Sequence, residues 1–483
     1  MINSENKRRT KNTQNHNNSS PSSYDPRLLA LEVLDYISIS GVTIDIALEK
    51  KMTGKNLSRP DQGLANAIIY GVLRHRGMLD WIVSCASTTE IVKIEPSVLN
   101  ILRIGIFQIK YLDRIPVSAS VNTSVELAKK IRKKPFISKF INAVLRKSVS
   151  IHEGMPFPDP ALDETDYFYA RHSIPGWLSS RWIARFGIEQ AEALAEHVNS
   201  IPPLSLRVNT LKGDRDSLAE KLKVDSDTVE LHNYSENGLN ITGLKQNIQN
   251  LLDLNEGVFQ VQDEAAQMIA ILLDPKPGER VLDACCGLGG KTGHIGQIMK
   301  NDGIIIASDN DPRKLIELNQ EMKRLGITNV STIVQDFENP LENSNSELFD
   351  RILVDAPCSG LGVLRRNPDA KWTESKKDLS RYSKRQSLIL INAADAVKPG
   401  GRLVYAVCSF EPEENQDVVS TFLQKRPDYI LDENIPEILK KHPFNLKDTE
   451  YGDKSGMIRI LPHIAGMDGF FAACFKKIDI KRS

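Results

Sequence analysis

Two cysteines stand at positions where α/β proteins do chemistry. Cys358 lies in Asp355-Ala-Pro-Cys-Ser-Gly-Leu-Gly362, and Cys408 in Val407-Cys-Ser-Phe-Glu411. Each follows an apolar run, FDRILVDAP or GGRLVYAVCS, that reads as a strand buried on both faces. A thiolate is a strong nucleophile, and its site must lower the thiol's pKa or supply a base. Two thiols brought to one sheet edge can divide attack and release between them. A lone buried cysteine is ordinarily a small core residue, which is the expectation for Cys85 and Cys474. Cys285 and Cys286 are expected to pack within a loop whose backbone lines a ligand.

That loop is the second chemical feature. The run Asp283-Ala-Cys-Cys-Gly-Leu-Gly-Gly-Lys-Thr292 leaves the strand RVLDAC and enters a helix from about Thr292. A glycine-rich turn between strand and helix lets a ligand approach the backbone and the helix N-terminus. A P-loop requires GxxxxGK[ST]; Gly290-Lys291-Thr292 fits its end, but its first glycine position is Cys285. A dinucleotide fingerprint GxGxxG is met at Gly287 and Gly289 and missed at Thr292. S-adenosylmethionine (SAM) fits best. Asp309 ends the second strand, within IIIASDNDP, and can accept from both ribose hydroxyls. Asp336, in IVQDF, ends the third where an adenine edge would lie.

Thiols beside a methyl donor fit methylation of cytosine carbon 5. That carbon is a poor nucleophile until a thiolate adds to C6 and makes the ring enamine-like. A base must then remove the C5 proton so that the thiol leaves. A carboxylic acid near N3 and N4 would assist the addition. Asp355 is placed for that role, with Lys291 to hold it. On chemistry alone either Cys358 or Cys408 could be the nucleophile.

The elements that position these residues fall into three regions. At 483 residues, with 41% hydrophobic and 26% charged residues and no net charge, the chain is expected to form two or three domains. Residues 1–24 are rich in Asn, Ser and charge and are expected to be a disordered tail. Residues 25–150 carry apolar stripes of helical period, such as Leu28, Leu31, Leu34 and Ile37, and predict an all-α domain. Its last thirty residues, 121–150, hold eight Lys or Arg and one acid, which suggests either a solvated face or a phosphate-binding surface. Residues 155–255 read as a small α/β linker subdomain, with Arg207 and Asn209 at a strand end. Residues 256–478 alternate strand and helix as in a Rossmann-like domain with a mostly parallel, seven-stranded sheet. The six cysteines show no CxxC spacing, so neither a zinc site nor a disulfide framework is expected. No apolar run is long enough to span a bilayer. A cytoplasmic monomer without metal is the default expectation.

The two cysteine motifs together resemble the NOL/NOP/Sun family of RNA cytosine-C5 methyltransferases. Residues 25–150, through RLLALEVLDYI, DQGLANAIIYGVLRHRGMLDWIV and PVSASVNTSVELAKKI with FINAVLR, resemble the NusB-like RNA-binding fold. The combination is similar to the Sun-type members that act on 16S ribosomal RNA. The resemblance implies Cys408 as nucleophile, Cys358 as the thiol that assists release, and 16S rRNA or a small-subunit assembly intermediate as partner. It implies SAM held by Cys285, Cys286, Gly287, Leu288, Gly289, Gly290 and Lys291, with the acids Asp309, Asp336 and Asp355. QVQDEAAQ, with Gln262 and Asp263, and DGFFAACFKK match the family's flanking motifs. The family's loop ordinarily reads C-A-A-P-G-G-K, so Gly287 and Leu288 predict a looser turn, and Val407 stands where the family has Thr. The rival expectation is a catalytically weak RNA-binding factor in ribosome assembly or antitermination.

Overall fold

The structure, a computed structural model, describes residues 24–131, 133–340, 347–442, 449–450 and 456–479. The tail expected over 1–24 lies, but for Tyr24, outside the described residues, as does Arg132 of the basic run.

Seven helices come first: α1 (Pro26–Ser40), α2 (Ile44–Met52), α3 (Arg59–Arg74), α4 (Arg76–Ala86), α5 (Pro96–Tyr111), α6 (Val117–Lys130) and α7 (Pro135–Ile151). Their ends follow local chemistry. Asp25 caps α1 by accepting from Arg27 N, Pro26 fills the first turn, and Gly41 ends the helix at φ 63°. The apolar stripes read from the sequence converge on one core that includes Leu29, Val33, Ile68, Val72, Ile101 and Leu145. The basic run is partly neutralised across the fold: Lys130 pairs with Asp25, Lys133 with Glu95 and Lys129 with Glu126.

Three helices follow, α8 (Glu164–His172), α9 (Gly176–Phe186) and α10 (Ile188–Asn199). They share a core with Leu361, Leu364, Leu379 and Phe410 from much later in the chain. A small antiparallel sheet comes next, from β1 (Leu204–Val208), β2 (Thr228–Leu231), β3 (Gly238–Thr242) and β4 (Phe259–Val261), in the order β2-β3-β1-β4. Helix α11 (Arg215–Asp225) contributes Leu218 and Leu222 to its core, and α12 (Leu252–Asn255) precedes β4. Residues 155–255 therefore feed two cores rather than one.

The remainder is a Rossmann-like domain. Helix α13 (Glu264–Leu273) leads into β5 (Arg280–Asp283), α14 (Gly290–Ile298), β6 (Ile304–Asp309), α15 (Pro312–Leu325) and β7 (Val330–Val334). Then come β8 (Phe349–Asp355), α16 (Ala370–Thr373), α17 (Lys376–Ala394), β9 (Val397–Val407) and α18 (Gln416–Lys425), followed by β10 (Tyr429–Leu431), β11 (Thr449–Glu450), β12 (Met457–Ile460) and β13 (Phe470–Lys477). The five strands β7-β6-β5-β8-β9 are parallel, and the β12–β13 hairpin adds antiparallel strands beside β9. These are the seven expected strands. Short β10 and β11 extend the sheet to nine among the described residues. No helix among them is long and apolar enough to cross a membrane.

Buried polar ties lock the regions together. Arg207 of β1, 1% exposed, donates through Nη1 to Gln262 Oε1 and, at 2.9 Å, to Gly290 O at the start of α14. Its Nη2 donates to Gln260 Oε1 at 2.7 Å. Burial lowers this guanidinium to about 9, still charged at neutral pH. Trp372 of α16 donates to Leu73 O, and Lys371 to Arg74 O, both at the end of α3. Replacing Arg207 strands the Gln262, Gln260 and Gly290 acceptors in a closed interior. Arg207→Met is expected to cost roughly 2–4 kcal/mol in thermal or urea unfolding. An unchanged unfolding midpoint would show that the sheet is not anchored through this residue.

Candidate active site

The carboxyl ends of β5, β6, β7, β8 and β9 open onto a cleft of about 460 Å³. Parallel strands direct their exit loops to one edge, so residues far apart in sequence meet there. In register, Asp355 of β8 lies opposite Ala406 of β9. Cys358 is three residues beyond the first and Cys408 two beyond the second. Their sulfurs lie 3.1 Å apart, and both thiols are free.

The loops that carry them are tied to one another. Gly362 N donates to Cys408 O at 2.9 Å, and Gly469 N donates to Gly362 O at 2.8 Å. A Cβ on Gly362 would sit 2.1 Å from Gly469 O, so only glycine admits this approach. Glu414, fully buried, accepts from Ser359 N at 2.9 Å, Ser359 Oγ at 2.5 Å and Gln386 Nε2 at 3.0 Å. Burial raises the Glu414 carboxyl, against the pull of these hydrogen bonds. The neighbouring Glu411, also buried, accepts twice from Arg181 of α9. The EPEEN run after Cys408 carried no role assigned from sequence. Three acids, Glu411, Glu413 and Glu414, shortly after a core strand were the available signal.

The hydrogen bond to Cys408, burial, and the Cys408 and Glu414 charges push the Cys358 thiol well above its ordinary range. Cys358 therefore holds its proton more tightly than a free thiol does, and across the 3.1 Å contact either sulfur can be the donor. Lys291 donates to Asp355 Oδ2 at 2.6 Å. Burial would lower its ammonium, but Asp355, with smaller contributions from Cys408 and Asp283, holds it above its ordinary value. A fixed cation thus stands near both the carboxylate and the sulfur.

The rest of the cleft is a strand-end cradle. Asp309 accepts from Gly287 N at 3.1 Å through Oδ2 and from Asp311 N at 2.9 Å through Oδ1. Asp336 and Phe337 follow β7, and Ile389 of α17 lines the same space. Of the loop residues expected at a cofactor, Cys285 and Gly287 line the cleft. Burial pushes the Cys285 and Cys286 thiols far above their usual range, and Cys286 packs beside Leu315 and Leu318. Leu288 is exposed, Gly289 caps α14 at φ 87°, and Gly290 begins that helix. The turn expected to be loose is closed by Gly289 N to Cys286 O and by Gly287 N to Asp309, with Gly287 at φ 55°. Val407 is buried in the sheet core. Thr43, from the α1–α2 turn, also lines the cleft, beside Ile44 N donating to Asp369 Oδ2 at 3.1 Å. Sequence reasoning missed it, since nothing local in Thr43 signals a contact across more than three hundred residues. No cluster of three or more metal-ligating side chains occurs among the described residues.

Residues 270–476 match the family described as 16S rRNA methyltransferase RsmB/F, residues 25–150 the NusB family, and residues 174–247 the RsmF/B-like methyltransferase ferredoxin-like domain. The chain is 35% identical over 456 residues to the probable ribosomal RNA small subunit methyltransferase B of Bacillus subtilis, covering 93% of this chain and 98% of that protein. The corresponding Synechocystis protein, also a probable ribosomal RNA small subunit methyltransferase B, is 34% identical over 455 residues, covering 93% and 99%. Among solved structures, the crystal structure of PH0851 superposes with a TM-score of 0.75 at 27% identity, covering 95% of this chain and all of that one. A methyltransferase homolog from Pyrococcus horikoshii gives 0.54 at 28% identity, covering 66% of this chain and all of its own.

Beneath the cleft, Asp283 accepts from Thr292 Oγ1 at 2.7 Å, and its other oxygen has no partner among the described residues. Burial pushes this carboxyl up to about 7, with the Asp355 charge adding to it. A raised folded pKa means that the folded chain keeps a proton which the unfolded chain releases above about 4. The contribution of Asp283 to stability is thus full at low pH and is lost as pH rises toward 7. Asp283→Asn removes the titration, so its stability relative to the wild type should rise between pH 5 and 7, by at most roughly 1.4 kcal/mol per unit. Urea unfolding across that range is the check; a pH-independent difference would refute the assignment.

Proposed function

Because the chain belongs to the 16S rRNA methyltransferase RsmB/F family, we propose that it transfers the methyl group of SAM to carbon 5 of one cytosine in 16S rRNA through a covalent bond between Cys408 and C6 of the base. The observation that carries this reading is the pair of free thiols 3.1 Å apart at the edge of a Rossmann-like sheet. Simple methyl transfer to an oxygen or nitrogen needs no thiol, whereas C5 chemistry needs one to add to C6 and can use a second for release.

The cleft fits the cofactor. A Cβ on Gly287 would meet nothing within 4 Å, so the loop's backbone opens on free space. Each Asp309 oxygen accepts one backbone N–H, Lys314 Nζ lies 3.5 Å from Oδ1, and Oδ2 retains acceptor capacity for a ribose hydroxyl. Asp336, with Phe337 and Ile389 as apolar walls, offers a place for a purine. When bound, SAM supplies an electrophilic methyl carbon.

The protein's own groups divide the remaining work. The Cys408 thiolate adds to C6, forming the C–S bond and moving the ring electrons toward N3 and C5. Asp355 faces the exocyclic amine and N3, and Lys291 holds it there. Alkylation of Cys408 removes the largest influence that held a proton on Cys358. Cys358 then releases its own proton to solvent in the open cleft and, as a thiolate, is the base that takes the C5 proton. The C5–H electron pair re-forms the C5–C6 double bond, and the C6–S bond breaks to return the Cys408 thiolate. Glu414 holds the Cys358 loop and Arg181 the Cys408 loop while this occurs.

A second reading, an RNA-binding factor with a degenerate methyltransferase domain, predicts no binding of SAM. Calorimetric titration with SAM should give heat of binding, which that reading forbids. Cys408→Ala is expected to reduce transfer of labelled methyl to 16S rRNA to background; retained activity would remove Cys408 as nucleophile. Cys358→Ala should still form the C6 adduct and fail to release it, giving a slowly migrating RNA–protein band on a denaturing gel. Absence of that band, with an active wild type beside it, would refute the release role.

A further inference from the structure

A second groove, about 630 Å³ in volume, is not used by the methyl-transfer chemistry. It runs between α3, α5 and the loop before α16. Tyr70, Arg74, His75 and Tyr111 line it from the N-terminal helices, and Arg365 and Arg366 from the methyltransferase side. Asn367 lines both this groove and the catalytic cleft, so the two spaces adjoin.

The groove's chemistry is one-sided. Its lining holds three arginines and no Asp or Glu. Arg366 is already paired with Asp263 and Asp468, and Arg365 reaches Asp468 through one Nη at 3.5 Å, which leaves its Nε open. Arg74 and Arg365 are each only 7% exposed, and the Nε of each lacks a partner among the described residues. Arg74 donates to Arg365 O at 2.6 Å, which keeps two guanidinium groups close together. Orphaned donors on buried cations are costly unless an acceptor completes them. The aromatic part is an array: His75 stacks on Tyr111 at 4.4 Å and 13°, and Phe107 continues it at 5.3 Å. Burial, with the Lys371 and Arg74 charges, pushes His75 down to about 3, and burial holds the Tyr70 and Tyr111 hydroxyls up to about 12, so all three rings are uncharged at neutral pH.

Uncharged aromatic rings beside acceptor-seeking guanidinium groups are what single-stranded nucleic acid recognises: bases stack and phosphates take the donors. An apolar peptide would use the rings and leave both Nε atoms orphaned. We propose that this groove holds the unpaired nucleotide next to the target cytosine, its base against the Tyr70–Tyr111 side and its phosphate toward Arg74 and Arg365. The proposal rests on the RNA methyltransferase reading and adds to it a subsite that positions the substrate without touching the reacting atoms.

Fluorescence anisotropy on the full chain tests it. The probe is a labelled single-stranded RNA of about ten residues with one cytosine, compared with the same RNA made abasic on both sides of that cytosine. For the wild type, the abasic sites should weaken binding about tenfold, the effect of one lost stack. Tyr70→Leu and Tyr111→Leu keep the apolar fill; each should bind the intact RNA about tenfold more weakly and the two RNAs alike. Arg74→Gln should reduce the slope of log affinity against log salt by about one. Equal wild-type affinity for both RNAs, or tyrosine variants that discriminate as the wild type does, would overturn the proposal. Loss of self-association in Tyr111→Leu with RNA binding unchanged would give the groove to a second copy of the chain and overturn it as well. Labelled methyl transfer by the wild type to a 16S rRNA transcript and to small-subunit assembly intermediates, run in parallel, is absent from both only if the enzymatic reading fails.

Discussion

The catalytic edge depends on β8 and β9 lying side by side and running in the same direction. Only neighbouring parallel strands deliver two exit loops to one point, and only a fixed register brings the third residue beyond β8 and the first beyond β9 together. The Asp355–Ala406 register does this. Gly362, with no side chain, lets the Cys358 loop turn back onto Cys408 O. Glu414, reached only after the β9 exit loop, grips Ser359 from below. The 3.1 Å sulfur contact results from these constraints. Productive positioning tolerates errors of about half an ångström, which explains why so many buried polar groups that touch no substrate themselves are spent on holding these loops.

The same constraint explains the ties between regions. A sheet edge built from loops is as rigid as what those loops rest on. The N-terminal helices reach the cleft through Thr43 and the Ile44–Asp369 bond. Helix α9 holds Glu411 through Arg181. The small antiparallel sheet holds the start of α14 through Arg207. Each of these regions therefore holds an element that leads into one cleft, and the N-terminal helices also line it through Thr43. This gives the three-part architecture a physical reason in how the cleft is held.

Much of this was legible in the sequence because it is local. Buried parallel strands read as continuous apolar runs, and the residues just past each run must lie at the sheet's working edge. That placed Asp309, Asp336, Asp355, Cys358 and Cys408 at one edge from the amino-acid order alone. The cofactor loop was legible only in part: spacing located the turn, but not that Cys286 faces the core or that Leu288 faces solvent. What could not be read depends on distant partners. Glu414 looks like a solvated acid until its partners Ser359 and Gln386 are known. The basic run over 121–150 looks unopposed until Asp25 and Glu95, from other helices, meet Lys130 and Lys133. The arginines of the second groove belong to segments almost three hundred residues apart, and no spacing rule joins them.

In the proposed reaction Cys408, and not its neighbour 3.1 Å away, forms the bond to the base. RNA in which the target is 5-fluorocytosine tests it directly, because a fluorine at C5 cannot be removed as a proton and the adduct persists. After digestion, mass spectrometry of the wild-type adduct should place the nucleotide on the peptide that contains Cys408. A nucleotide on the Cys358 peptide, or SAM-dependent methylation of normal RNA with no adduct on the fluorinated one, would contradict the account.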